Sequence, residues 1–509
     1  MSGEHSQGLL TGEFQEKPSA TGRFAAVRNI SWSALLHTIG HALKPEIFER
    51  RALSAAQKRP GTTAWLDGLR GVAALSVCTM HLCVYTHTNL ELCYGAGIWW
   101  QKWNTSIAAW PIFRLPFTGG HFAVILFFTI SGYVVPRRLI SLLHEGKQAE
   151  FVEAINAAIV RRPGRLFLPV AFSTLFLAFF WHITGIVTAF PQRQSNIFTE
   201  VWAWFLDQLK FWYYYRTGFL FTYYNAHTWT IPVELRGSMN IFLWLFAVHQ
   251  IRTKWRILMT VGILAHFIYA SGAWYAAFFA GMLTSELDMI YTNNVPVSLP
   301  WDPIVNFLRK RQMIKQGVLH VMLFIGLWLA SQPSSDMHPR DEVMDCGAWK
   351  HLNKLIPGPY DDGNSSTYRW FWLFWASWII LVTVGQIGWV KWLFETGPAQ
   401  YLGRHSFALY LVHGPIIGLY SDRLFYLTGV KIPSSDDDIQ RFGHLTNKWK
   451  DSSWWILPEG GPYALEPSFI FCVLMSLPVM LYVAECGTRM FDIPGVKISR
   501  WMWTKMKSL

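Results

Sequence analysis

The chain has 509 residues, of which 52% are hydrophobic and 15% charged, with 28 Trp, 36 Phe and a formal charge of +12. Soluble domains carry about 25% charged residues, so this balance excludes an ordinary soluble enzyme and points to lipid as solvent. The basic residues sit mainly between apolar segments, where membrane topology calls for them, which argues against a nucleic-acid partner. The six cysteines show no CxxC spacing, so neither a bound metal nor a redox motif is expected.

Residues 1–60 are polar and mixed, with no short apolar core near Met1, and read as a cytosolic N-terminal tail. Within them, residues 31–43 are mildly amphipathic and suit a membrane surface. Ten apolar windows follow, near 66–88, 119–136, 165–188, 229–249, 256–271, 273–290, 317–331, 369–388, 405–422 and 466–486. Each approaches the 17–25 residues that a spanning helix requires. Residues 201–214 contain Asp207 and Lys210 and read as interfacial or re-entrant. The expected fold is therefore all-α: one polytopic membrane domain over 61–490 with about ten transmembrane helices, and a basic cytosolic tail over 491–509.

Orientation follows from short basic flanks. Arg50, Arg51, Lys58 and Arg59 precede the first window, and Arg137, Arg138, Arg161, Arg162 and Arg165 follow the second. Arg252, Lys254 and Arg256 cluster in a later short loop, which ten spans place on the same, predicted cytosolic side as both termini. The longer loops near 89–118, 189–228, 332–368 and 423–465 then face away from the cytosol. Asn104-Thr-Ser and Asn364-Ser-Ser lie there as glycosylation candidates, whereas Asn29-Ile-Ser lies in the tail. Cys93 and Cys346 also fall in those loops and form a candidate disulfide. These features predict a multi-pass protein of the endoplasmic reticulum or another endomembrane.

Ionisable groups inside spans are costly and point to function. Arg70 and His81 share the first window, eleven residues apart, so they lie on nearly one helix face about 16 Å apart along the axis. Arg70 falls at the predicted cytosolic edge and His81 at mid-depth. Imidazole, with an ordinary pKa of about 6.5, is the natural general base near neutral pH. The run Leu126 to Tyr133 places Ser131 and Gly132 in the second window, where small residues serve helix packing. His227-Thr-Trp-Thr-Ile-Pro232-Val-Glu234-Leu-Arg236 opens the fourth; Glu234 there either pairs with Arg236 or orients a histidine. Tyr401 to Gly414 opens the ninth and carries His413 at a depth similar to His81, with Arg404 and His405 as edge anchors. Glu485 closes the tenth, within expected reach of Arg165 or Arg70. The aromatic stretch 211–224 reads as an interfacial belt that would also suit a flat acceptor.

Together these segments resemble the acyltransferase-3 family of membrane O-acyltransferases, from Trp65 to about Cys486. The Arg, ten residues, His motif is matched by Arg70 and His81 within Leu66–Gly71 and beyond, the second segment by Leu126–Tyr133 and the arginine-rich segment by Arg161–Pro169. The remaining motifs are matched by His227–Glu234 and by Leu402–His413. Gly414 and Leu235 depart from the bulkier aromatic and the polar residue usual in bacterial members, a difference that bears on the acceptor. The tail and insertions look like fungal members, several of which acylate secondary metabolites. The resemblance implies transfer of an acyl group, in the first instance acetyl, from acyl-CoA as co-substrate to a hydroxyl of a small molecule, with no permanently bound cofactor. It implies His81 as general base, Glu234 and His413 beside it, and Arg70 and Arg165 on the CoA phosphates. Acylation of a cell-surface or lumenal glycan is the alternative. A transporter or lipid-handling protein, and a catalytically dead receptor, are the readings from other classes.

Overall fold

The computed structural model describes residues 61–96, 105–186, 193–336, 338–361 and 366–508, together with Gly40, 43–45 and Thr188. Asn29, Asn104, Asn364 and most of the amphipathic segment 31–43 lie outside the described residues. Among the described residues no strand forms, and one isolated bridge joins Thr222 to Asn225.

The principal helices are α1 (Ala64–Val84), α2 (Gly120–Val134), α3 (Arg137–His144), α4 (Gln148–Thr184), α5 (Ile197–Trp212), α6 (Thr230–Val248) and α7 (Thr253–Tyr269). They continue with α8 (Ala273–Thr292), α9 (Gln312–Ala330), α10 (Arg369–Gln386), α11 (Gly397–Ile416), α12 (Pro467–Gly487) and α13 (Ile493–Lys507). A helix stands on each of the ten apolar windows. Five helical stretches are long and apolar enough to cross a membrane by that criterion alone, or six if a bent pair counts as one. The protein is an integral membrane protein. The first window carries Asp67, Arg70 and His81, polar groups that dilute its hydropathy, so it reads more strongly as a site than as a span.

Several boundaries differ from expectation for physical reasons. The third window opens at Arg165, but α4 is one helix of 37 residues, about 56 Å long. Its first half is amphipathic and buries Phe151, Ile155 and Ala157, so hydropathy does not extend that far back. Pro163 and Pro169 lie inside it, and Gly185 ends it in the left-handed region at φ 71°. The eighth window ends in a break: α10 turns by 94° into Gly388–Glu395. The ninth starts earlier, at Gly397, where Pro398 fits a first turn that needs no N–H. Residues 491–508, expected as a tail, fold from Ile493 as α13 and pack along α4. The segment read as interfacial or re-entrant is α5, closed at its start by a capping box between Asn196 and Thr199. It exposes Phe198, Trp202 and Leu209 while burying Asp207.

At the centre, α1 packs on α2 and α11, α2 on α8 and α10, and α6 bridges α2, α4 and α8. Small residues set these distances. A Cβ on Gly71 would lie 2.3 Å from the Gly403 backbone nitrogen, so α1 and α11 meet backbone to backbone. A Cβ on Gly132 would lie 2.1 Å from the Phe278 carbonyl oxygen, which gives the Ser131–Gly132 pair its packing role. Beyond the far end of α1, the structure joins Cys93 to Cys346 in a disulfide. There Arg114 donates to the Leu90 and Glu91 carbonyls at 2.8 and 2.9 Å.

Candidate active site

The predicted residues fall into two groups on the walls between α1, α2, α4, α6 and α11. The first group lines an elongated cavity. Arg70 from α1, Arg162 and Arg165 from α4, Arg404 from α11 and Asp492 form its basic end, with Ser131 and Glu234 along its wall. Thr230, Phe127 and Tyr410 line it further along. Arg404 therefore belongs to the cavity and is not only an edge anchor. Its neighbour His405 is buried and meets the Thr488 hydroxyl at 2.9 Å.

Glu234 sits in the cavity wall with partners other than those expected. Arg162 on α4 forms an ion pair with it and also donates to the Ser238 hydroxyl at 2.9 Å. The Ser131 hydroxyl donates to the same carboxylate at 2.5 Å. Arg236 does not pair with Glu234; its guanidinium lies 4.6 Å over the Tyr214 ring. Helix geometry decides this: Glu234 and Arg236 are two residues apart and so differ by about 200° around α6, facing opposite sides. Glu485 likewise turns to Arg489 at 3.1 Å and Tyr401 at 3.1 Å rather than to Arg165 or Arg70.

The second group is a set of three imidazoles. His81 stands in the last turn of α1, deeper than mid-helix, and His413 in the last turn of α11. Their rings stack at 5.1 Å, the convergence that the shared depth predicts. His227 joins them from the short helical turn Ala226–Trp229 that leads into α6, 4.3 Å from the His81 ring and 4.5 Å from the His413 ring. Sequence reasoning missed His227 as a site residue. Its signal was the glycine at 414: a Cβ there would lie 2.2 Å from the His227 Nδ1, so only a bare backbone admits this ring.

Hydrogen bonds orient the cluster. His413 Nδ1 lies 2.6 Å from the Tyr410 carbonyl, which makes it the N–H bearing nitrogen and leaves Nε2 as the acceptor. That Nε2 is buried without a hydrogen-bond partner. The Tyr410 hydroxyl donates to the His227 carbonyl and accepts from Thr230 at 2.7 Å. Tyr410 and Thr230 thus belong both to the cavity wall and to the support of the cluster. His227 and Glu234 are seven residues apart, about 10 Å along a helix axis, and the two partners of Glu234 are Ser131 and Arg162.

Although no metal was expected, the three histidines are a group whose geometry admits one among the described residues. Their ligand atoms lie within 4.8 Å of one another. A tetrahedral zinc site, with bonds of about 2.0–2.1 Å, needs nitrogens about 3.3 Å apart, so the rings would have to close in.

A helical membrane protein whose arginine-lined cavity shares Thr230 and Tyr410 with the support of a histidine cluster fits a membrane enzyme that transfers a group from an anionic donor. The family model described as an acyltransferase domain matches residues 63–484, and the chain belongs to that acyltransferase-3 family. It is 27% identical over 397 residues to the O-acetyltransferase PaAT-1 of Phomopsis amygdali, covering 72% of this chain and 74% of that one. It is 22% identical over 410 residues to the acyltransferase R4 of a Phoma species, covering 72% and 85%. The acyltransferase clz18 of Cochliobolus lunatus is 20% identical over 413 residues, covering 71% and 84%. No solved structure matches the chain.

Proposed function

We propose that the protein transfers an acyl group, in the first instance acetyl, from acyl-CoA to a hydroxyl of a small molecule such as a secondary metabolite. The observation that carries this reading is a cavity whose lining joins the guanidinium groups of Arg70, Arg162, Arg165 and Arg404 to Thr230 and Tyr410, the supports of the histidine cluster. Guanidinium suits phosphate through charge-assisted, bidentate bonds, so Arg70 and Arg165 hold the donor's phosphates. The pantetheine arm follows the cavity past Ser131 and Glu234. Arg70 and His81 are eleven residues apart on α1, so about 16 Å of axis separates phosphate grip from transfer point.

At the cluster, His81 takes the proton of the acceptor hydroxyl as that oxygen attacks the thioester carbonyl. The tetrahedral intermediate collapses by breaking the carbon–sulfur bond, and the imidazolium returns the proton to the departing thiolate. General-base help of this kind contributes about 10²–10⁴-fold. His413 and His227 pack the His81 ring into one orientation, and Glu234 holds Arg162 on the cavity wall. The Cys93–Cys346 disulfide lies beyond the histidine end of α1, and disulfides persist in oxidising compartments. This supports a cytosolic Arg70 end and a lumenal disulfide end, within an endomembrane.

The test is incubation of the purified protein with labelled acetyl-CoA and extracts of the native host, followed by mass analysis. Label arriving on a hydroxyl-bearing small molecule supports the reading. Label on a glycan redirects it to glycan acylation. Binding or movement of a solute without acyl transfer refutes it in favour of a transporter.

A further inference from the structure

A second cavity opens beside the first, and its far wall is built by α13, a helix beyond the residues matched by the family domain. Its volume is about 410 Å³, within the range of ligand sites, about 300–1,000 Å³. Val135, Arg162 and Arg165 line both cavities, so the two adjoin. Five arginines face the second cavity: Arg138, Arg161, Arg162, Arg165 and Arg500. Two carboxylates, Glu150 and Glu153, oppose them, and Glu153 is engaged by Lys507. One face of α13 presents Val496, Ser499, Arg500 and Trp503 to this space, the spacing of a single helical stripe.

We infer that this cavity binds the 3′-phosphorylated adenosine end of the donor, with Arg161 and Arg500 on the 3′-phosphate and the Trp503 ring against adenine. The inference rests on the acyl-CoA reading above. The chemistry is that of an anion joined to a planar aromatic: several guanidinium groups for phosphate, and an indole beside them for a purine. Arg162 is held by Glu234 and, with Arg165, lines both cavities, whereas Arg138, Arg161 and Arg500 line the outer chamber and not the inner one. The segment read from sequence as a basic tail is thereby a wall of the donor site.

The test measures binding of CoA, dephospho-CoA and adenosine 3′,5′-bisphosphate to the full chain in nanodiscs of neutral lipid, so no acceptor is needed. CoA is expected to bind about 10- to 100-fold more tightly than dephospho-CoA, the size of a charge-assisted contact. Arg500→Gln and Arg161→Gln should each bring that ratio toward one while leaving dephospho-CoA affinity within about twofold. Glu150→Gln, which removes an opposing charge, should raise the ratio, an outcome that misfolding does not produce. Trp503→Ala should weaken both ligands together. An unchanged ratio in Arg500→Gln and Arg161→Gln, with CoA still bound, overturns the subsite and leaves the donor reading standing. Absence of CoA binding to the native chain overturns both. Phosphate could also come from lipid: if adenosine bisphosphate fails to bind but anionic lipid in the disc protects α13, the chamber is a headgroup site and the inference falls.

Discussion

Placing a methyl group at position 414 is the sharpest perturbation of the histidine cluster, because it leaves every imidazole in the chain. The Cβ of Gly414→Ala would sit 2.2 Å from His227 Nδ1 and 2.7 Å from its Cε1, against an ordinary contact of 3.4 Å or more. The His227 ring must therefore retreat by about 1.2 Å, since 3.4 minus 2.2 is 1.2. The three nearest atoms all belong to the ring, so the side chain rather than the backbone is what must give. Overpacking costs about 1–3 kcal/mol, partly offset by roughly 0.5–1 kcal/mol of helix propensity gained when Gly becomes Ala in α11. The melting temperature in detergent should thus change by only a few degrees. A displacement of about 1 Å in a catalytic arrangement lowers the rate by about 100-fold. Measured with the acceptor found in host extracts, kcat should fall by that order while the KM for acyl-CoA stays within about twofold. A near-native kcat in Gly414→Ala, with the fold intact, would refute the reasoning that His227 packs His81 for the reaction.

Three further outcomes follow from the same structure. Burial lifts the Glu91 carboxyl, in the loop beyond α1, from 4.5 to about 7. Between those values the native state holds a proton that the unfolded chain has lost, so stability is greatest on the acid side and falls as pH rises from about 4.5 to 7. The ionised carboxylate costs about 3 kcal/mol there; Glu91→Gln should raise the melting temperature at pH 7.5 and flatten the dependence, and an unchanged profile would contradict this. Glu234→Gln leaves the Arg162 guanidinium uncompensated between α4 and α6, so it should lower stability by about 3 kcal/mol, read by thermal melting, and Arg162→Met combined with it should recover part of that loss. Cys93→Ser should reduce stability by about 2–5 kcal/mol, and reductant should then have no further effect on the variant's melting temperature.

The order of helices was legible because their apolar windows approach the length of a membrane span and many are separated by basic loops. Arg70, His81 and His413 stood out because ionisable groups inside apolar helices are costly, and the meeting of His81 with His413 follows from their similar depth. The first half of α4 was not, since an amphipathic stretch that buries Phe151 and Ile155 does not read as membrane-spanning. Nor was the partner of Glu234: the nearby Arg236 is close in sequence but about 200° away around α6, and Arg162 comes from another helix 72 positions earlier. His227 was hidden for a related reason. Its meeting with Gly414 is a tertiary contact between α11 and the turn before α6, and only the absence of a side chain at 414 hinted at it.

The central claim is that His81 is the general base of acyl transfer from CoA. Its most direct test compares native protein with His81→Ala in a single-turnover reaction with labelled acetyl-CoA and the identified acceptor, after melting and CoA-binding controls. The account predicts native-like melting and CoA affinity with transfer slowed by about 10²–10⁴-fold. Transfer at the native rate by folded His81→Ala protein would contradict it.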